Sequence, residues 1–204
     1  MSKYFSVVVV ITLICAFSAA QPARAAGNYI FVIMGQSNAG LIRPALQAAL
    51  TSKYGSGAHF VLCAKGSTKL VQFLKGSDIY NACLANIRTL QSRGYAMAKL
   101  FMYQGESDTG KVTNWRGMFL KLIVDLKADT GVNFHTYIFQ IGANPRPDVY
   151  IYWRSIQQQQ HHVSLDTGWP MVMTANIPLC PPTSPHHCAA GYQEITARMM
   201  ALIP

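Results

Sequence analysis

The chain is short of acid: 8 Asp and Glu stand against 17 Lys and Arg, a formal net charge of +9. A basic excess is one mark of nucleic-acid binding. Here the bases are scattered (Arg43, Lys53, Lys65, Lys69, Lys75, Arg88, Arg93, Lys99, Lys111) with no dense run, which argues against a nucleic-acid partner. Weak attraction to anionic glycans or a cell surface is what such a spread implies. Beyond the N-terminus there is also no apolar run long enough to span a membrane. The C-x-x-C spacing of a structural zinc site is missing, and so are internal repeats and a linker between domains.

What is present starts with a leader. Lys3 gives a positive start, Val7–Ala20 is apolar but too short to span a bilayer, and Ala23-Arg24-Ala25 is a small-x-small cleavage site. Residues 1–25 therefore read as a signal peptide, and 26–204 as one exported domain of 179 residues, secreted or periplasmic and free of the membrane after cleavage. Loss of Lys3 and Arg24 leaves 15 basic residues against 8 acidic, a net +7. Of five cysteines, Cys15 leaves with the leader. The remaining Cys63, Cys83, Cys180 and Cys188 form an even set in an exported chain, which suggests disulfides with three possible connectivities. Cys180 and Cys188 close a short proline-rich loop and are the favoured pair, leaving Cys63 with Cys83. Zinc ligation is the competing reading, because His186 and His187 adjoin Cys188.

Short apolar runs alternate with helical patterns. Strands are expected at Tyr29–Met34, His59–Cys63, Ala98–Tyr103, His135–Ile141 and Met171–Thr174. Helices are expected at Pro44–Lys53, Ile79–Arg93, Trp115–Thr130, Val149–His162 and Ala190–Leu202. Within Trp115–Thr130, Met118, Phe119, Leu122, Ile123 and Leu126 repeat at the helical period. This alternation predicts an α/β fold, a three-layer α/β/α sandwich around a parallel sheet of about five strands. Ligands bind such sheets beyond the carboxyl ends of the strands, where Ser37, Gly66, Gln104 and Asn144 would emerge.

Four segments near strand ends carry chemistry: Gly35-Gln36-Ser37-Asn38, Lys65-Gly66-Ser67-Thr68, Gln104-Gly105-Glu106-Ser107-Asp108, and His186-His187-Cys188-Ala189-Ala190-Gly191-Tyr192. A serine beside a glycine just past a strand sits on a sharp strand-to-helix turn. Its hydroxyl is exposed there, and backbone N–H groups point at any anion it generates. Taken alone, Ser37 would be a helix cap, Gly66-Ser67 an ordinary turn, and Glu106 with Asp108 a loop that caps a helix. His59 and His135 read as structural, His161-His162 as an exposed helix end, and Tyr192 and Trp115 as packing residues.

Together these segments resemble the SGNH/GDSL hydrolase superfamily (a flavodoxin-like fold). The closest likeness is to the sialate O-acetylesterase-like and acetylxylan-esterase-like carbohydrate esterases, carbohydrate esterase family six and its relatives. Gly-Gln-Ser-Asn and Gln-Gly-Glu-Ser-Asp are that family's motifs verbatim, and His186 stands five residues before Gly191. The resemblance spans about Tyr29 to Leu202. It implies a serine esterase that removes O-acyl groups, acetyl above all, from an acylated carbohydrate. Ser37 would be the nucleophile and His186 the base. The Ser37 and Gly66 N–H groups and the Gln104 side chain would form the oxyanion hole. Gln36, Asn38 and Asn144 would contact substrate. No metal and no organic cofactor is implied. The oligomeric state and the sugar are not specified.

One position departs from the pattern. The family's acid stands three residues before the histidine, and that residue is Thr183 here. Glu106 is the carboxylate expected to serve in its place as the third catalytic residue. A Ser–His dyad and an inactive site are the other outcomes, and His187 is the alternative base. Two further classes fit the same motifs: a glycan-binding protein that kept the fold, and a serine-dependent O-acyltransferase.

Overall fold

The computed structural model describes residues 27–110, 113–143 and 150–204. The expected leader, Asn144 and the rest of the Asn144-Pro145-Arg146-Pro147 loop lie outside the described residues. Strands and helices alternate: β1 (Tyr29–Gly35), α1 (Ser37–Tyr54), β2 (Ala58–Ala64), α2 (Asp78–Gln91), β3 (Met97–Tyr103), α3 (Trp115–Thr130), β4 (His135–Phe139), α4 (Tyr150–Thr167), β5 (Met171–Val172) and α5 (Ala189–Leu202). The strands form one all-parallel sheet in the order β2-β1-β3-β4-β5. A parallel sheet buries both faces, because each crossover lays a helix on one side or the other.

The alternation along β1 shows how the residues divide. Ile30, Val32 and Met34 point into a core shared with Tyr80, Leu84 and Ile87 of α2, Trp115, Phe119 and Leu122 of α3, and Ile156 and Val163 of α4. Phe31 and Ile33 point the other way, against Ile42, Leu46 and Leu50 of α1 and Ile195 and Met199 of α5. Each such side chain, fully buried, contributes about 1.5–3 kcal/mol of transfer free energy. Trp115 and Tyr192 are packing residues in these cores.

Several ends of the expected elements shift, and α4 runs on to Thr167 where the expected helix stops at His162. Helix α1 begins at Ser37 rather than Pro44, and Pro44 lies inside it. Proline suits a first turn, which is why the sequence pattern favours a later start. Its cost inside α1 is one lost bond to the Gly40 carbonyl and some crowding. Strand β4 stops at Phe139. Strand β5 is only two residues long, at the sheet edge.

Register places the chain exits. Gly35 aligns with Ala64 on one side and Tyr103 on the other, so β1, β2 and β3 end level. The sheet order turns back at β1, where the chain runs first to β2 and then to β3. A crevice opens at such a point beyond the strand ends. Two disulfides brace this edge: Cys63–Cys83 ties the end of β2 to α2, and Cys180–Cys188 closes the loop before α5. Both match the favoured pairing, and neither pair is left as thiolate ligands. No helix among the described residues is long and apolar enough to cross a membrane.

Candidate active site

Ser37 owes its position to the residue two before it. Gly35 has φ +140°, and a Cβ there would lie 1.9 Å from the Tyr103 carbonyl oxygen. Only glycine allows β1 to turn that tightly against β3. The chain leaves the sheet and enters α1 at once, with Ser37 as the first helical residue. No side chain caps α1, so the first N–H groups of the helix have no intrahelical acceptor and its positive end faces the crevice.

The loop that carries His186 reaches over this helix end. His186 Nε2 lies 2.8 Å from Ser37 Oγ. The adjacent His187 turns inward: it is buried, Nε2 meets the Tyr103 hydroxyl at 3.0 Å and Nδ1 the Pro178 carbonyl at 3.2 Å. Burial lowers the pKa of His187 and favours its neutral form. Of the two histidines, His186 therefore faces Ser37.

A cavity of about 310 Å³ opens over the pair, lined by Gln36, Ser37, Ser67, Glu106, Ser107, Thr109, Trp153, Thr183, Pro185 and His186. A larger cavity, about 630 Å³, lies at the amino ends of β1, β3 and β4, among Tyr29, Ala98, Lys99 and His135. None of the four strand-end segments reaches it, so volume alone does not mark the site.

The remaining expected residues divide. Gln36 lines the cavity and its Oε1 accepts from the Ser107 N–H at 3.1 Å. Gly66 belongs to the turn after β2, where Ser67 takes φ +56°, an unusual conformation for a residue with a side chain. Gln104 is fully buried, and its amide nitrogen donates to the Thr68 carbonyl at 2.8 Å and to Asp108 Oδ2 at 2.9 Å. Both amide protons are thus spent away from Ser37, which corrects the expectation that Gln104 donates to an oxyanion. Asp108 also accepts the Leu70 N–H, so Gln104 and Asp108 brace the turn that carries Gly66 and Ser67.

Asn38 is 0 % exposed and does not line the cavity. Its expected contact with substrate is corrected by that burial. Glu106 lines the cavity but hydrogen-bonds Asn38 Nδ2 at 2.5 Å. Among the described residues, no hydrogen bond joins Glu106 to His186. The other Glu106 oxygen, Oε2, is buried without a partner. Burial raises the Glu106 pKa from an ordinary 4.5 to about 7; the Asn38 hydrogen bond opposes this in part and Asp108 adds to it. Thr183 stands exposed at the cavity rim. Asn144 is outside the described residues.

The motifs did not single out Ser67, Ser107, Thr109 and Trp153 as cavity residues. The Trp153 indole donates to the Gly142 carbonyl at 2.8 Å, which pins its ring in the wall. Its signal in the sequence was a large aromatic in the first turn of the helix after the fourth strand.

A serine hydroxyl in contact with an imidazole, at an uncapped helix N-terminus, is a device for acyl transfer. Residues 44–202 match the family described as carbohydrate esterase, sialic acid-specific acetylesterase. The chain belongs to this family. The esterase match begins just after the Gly35–Asn38 motif. As a member, the protein is a carboxylic ester hydrolase. No curated protein shows a sequence match. Solved structures share its fold. A protein from Arabidopsis thaliana superposes with a TM-score of 0.74 at 15% identity, over 86% of this chain and 97% of that one. An acetyl xylan esterase gives 0.57 at 13%, over 86% and 100%. A carbohydrate acetylesterase from Xanthomonas citri gives 0.55 at 15%, and there the matched part covers 78% of this chain but only 39% of the other. At such identities the likeness is one of fold. The esterase has a three-layer α/β/α architecture, shared with a lipolytic protein of the G-D-S-L family from Veillonella parvula at a TM-score of 0.55 and 9% identity, over 86% of this chain and 98% of that one.

Proposed function

We propose that this esterase is exported by its leader (1–25), folds as one domain over 26–204, and removes O-acetyl groups from carbohydrates through an acyl-enzyme on Ser37. The observation that carries this reading is the 2.8 Å contact between His186 Nε2 and Ser37 Oγ at the uncapped start of α1. His186 accepts the Ser37 proton as Oγ attacks the ester carbonyl. The tetrahedral oxyanion is held by the Ser37 N–H, by the positive end of α1 and by the Gly66 N–H from the turn after β2. Collapse expels the sugar oxygen, which takes the proton from His186. Water, deprotonated by His186, then attacks the acyl-enzyme; acetate leaves and the Ser37 hydroxyl is restored.

The rest of the site supports a carbohydrate. Ser67, Ser107, Thr109, Thr183 and Trp153 line the cavity, a mixture of hydroxyl-bearing residues and one aromatic. Glu106 acts without touching His186: its charge lies in the wall and its hydrogen bond runs to Asn38. Two disulfides and the fold's carbohydrate esterase family fit an exported protein.

The test is acetate release from acetylated xylan, O-acetyl sialosides and p-nitrophenyl acetate by the mature protein, with Ser37→Ala and His186→Ala beside it. Each substitution is expected to lower kcat by about 10³-fold or more. Equal rates for wild type and Ser37→Ala would overturn the acyl-enzyme. Turnover stimulated by added saccharide acceptor would identify an acyltransferase instead.

A further inference from the structure

Among the described residues, no carboxylate is hydrogen-bonded to the His186 ring. Its ring has one hydrogen-bond partner among the described residues, Ser37 Oγ. Its backbone N–H donates to Ser184 Oγ at 3.1 Å. The described contacts that can aim the ring run through the backbone of the 180–188 loop.

That backbone is held from beneath by Asn38. Asn38 Nδ2 donates to the Pro185 carbonyl at 2.9 Å and to Glu106 Oε1 at 2.5 Å, while Oδ1 accepts from the Tyr192 hydroxyl. The partners lie 147, 68 and 154 residues away in sequence, so one buried amide joins α1, the turn after β3, the histidine loop and α5. The Pro185 carbonyl belongs to the peptide unit that enters His186. Fixing it fixes the origin from which the imidazole projects.

The chemistry demands a carboxamide. Two donors on one nitrogen and an acceptor on the neighbouring oxygen answer two acceptors and one hydroxyl. Aspartate at this position would set a third acceptor against the Glu106 carboxylate and the Pro185 carbonyl. Alanine would remove the donor to the buried Glu106 carboxylate and to the half-buried Pro185 carbonyl, and leave the Tyr192 hydroxyl only the His187 N–H.

We propose that Asn38 is the positioning residue for His186. It anchors the Pro185–His186 peptide to Glu106 and so takes over the aiming role of the acid that Thr183 does not supply. The proposal rests on the Ser37–His186 reading above. A displacement of the ring by about 1 Å costs on the order of a hundredfold in rate.

The experiment measures p-nitrophenyl acetate hydrolysis by wild type, Asn38→Ala, Asn38→Ser, Ser37→Ala and His186→Ala, per mole of folded protein verified by circular dichroism. Each is assayed with and without added imidazole. The expected result for Asn38→Ala is a fall in kcat of about a hundredfold with KM within twofold, partly restored by imidazole, as in His186→Ala and not in Ser37→Ala. If Asn38→Ala does not fold, Asn38→Ser, which keeps one donor, is expected to show a smaller fall with the same rescue. A wild-type kcat per folded molecule in either variant would overturn the proposal, as would a fall that imidazole does not relieve. If Ser37→Ala retains the wild-type rate, the underlying reading fails instead.

Discussion

Replacing Glu106 with glutamine sets stability against activity in a way the structure makes quantitative. The carboxyl is 7 % exposed, accepts one hydrogen bond from Asn38 and leaves Oε2 without a partner. Its pKa rises from 4.5 to about 7 on folding. The folded state therefore holds this proton more tightly than the unfolded chain. The sign is fixed: the stability it contributes is fully present below pH 4.5 and is lost as pH climbs through about 7. At about 1.36 kcal/mol per unit, the loss amounts to roughly 3 kcal/mol by pH 8. Glutamine keeps an acceptor for Asn38 and carries no charge, so it escapes this loss. Urea unfolding of Glu106→Gln and wild type, each at pH 4.5, 6, 7 and 8, reads the effect directly. The difference in unfolding free energy is expected to grow in favour of the variant from pH 4.5 to 7 and then to level off. Comparing the two proteins cancels titrations that are not coupled to Glu106, such as that of His187. At pH 8 the more stable variant should also be the slower esterase, because the anion in the cavity wall is gone. A difference that does not change with pH would refute the argument, because it would mean that Glu106 ionises in the folded protein as it does in water.

Three shorter predictions follow from other parts of the site. Thr183→Asp returns a carboxylate to the rim beside His186 and should raise kcat/KM for acetyl esters; an unchanged or lower value would show that the loop does not present residue 183 to the ring. Gly35→Ala forces a Cβ to 1.9 Å from the Tyr103 carbonyl at φ +140° and should destabilise the protein by at least about 3 kcal/mol in chemical denaturation. Removing the Cys180–Cys188 bridge by double alanine substitution opens a short loop worth about 2–3 kcal/mol, and kcat should fall because His186 lies inside that loop; the buried Cys63–Cys83 bridge, removed in the same way, should cost stability with little effect on kcat per folded molecule.

Much of the fold was readable because its signals are local. Apolar runs of strand length alternate with helical periods, and all five strands and five helices appear in the expected order. The start of α1 was not readable. Pro44 looks like a first-turn residue, and only the packing of Asn38, Ala39 and Ile42 shows that the helix has already begun seven residues earlier. Both cysteine pairs could be read from their spacing, because a short proline-rich loop leaves few other choices.

The site divides along the same line. Ser37, Glu106 and His186 could be named from their motifs, and all three line one cavity. The tasks of Gln104 and Asn38 could not be read. Gln104 has the right chemistry for an oxyanion donor, but its protons go to Thr68 and Asp108. Asn38 adjoins Ser37 in sequence and is buried beneath the His186 loop in space. Residue type sets what a side chain can donate or accept; the direction it faces follows from the helix phase and from which distant segment arrives against it.

Residue type and short spacing were enough for the α/β order and the kind of chemistry, and they favoured the cysteine pairing that the structure then shows. Which histidine meets Ser37, and that Glu106 bonds Asn38, came from the assembled fold. Those outcomes depend on contacts between segments 68 to 154 residues apart, which meet only when the level ends of β1, β2 and β3 bring their loops to one edge of the sheet.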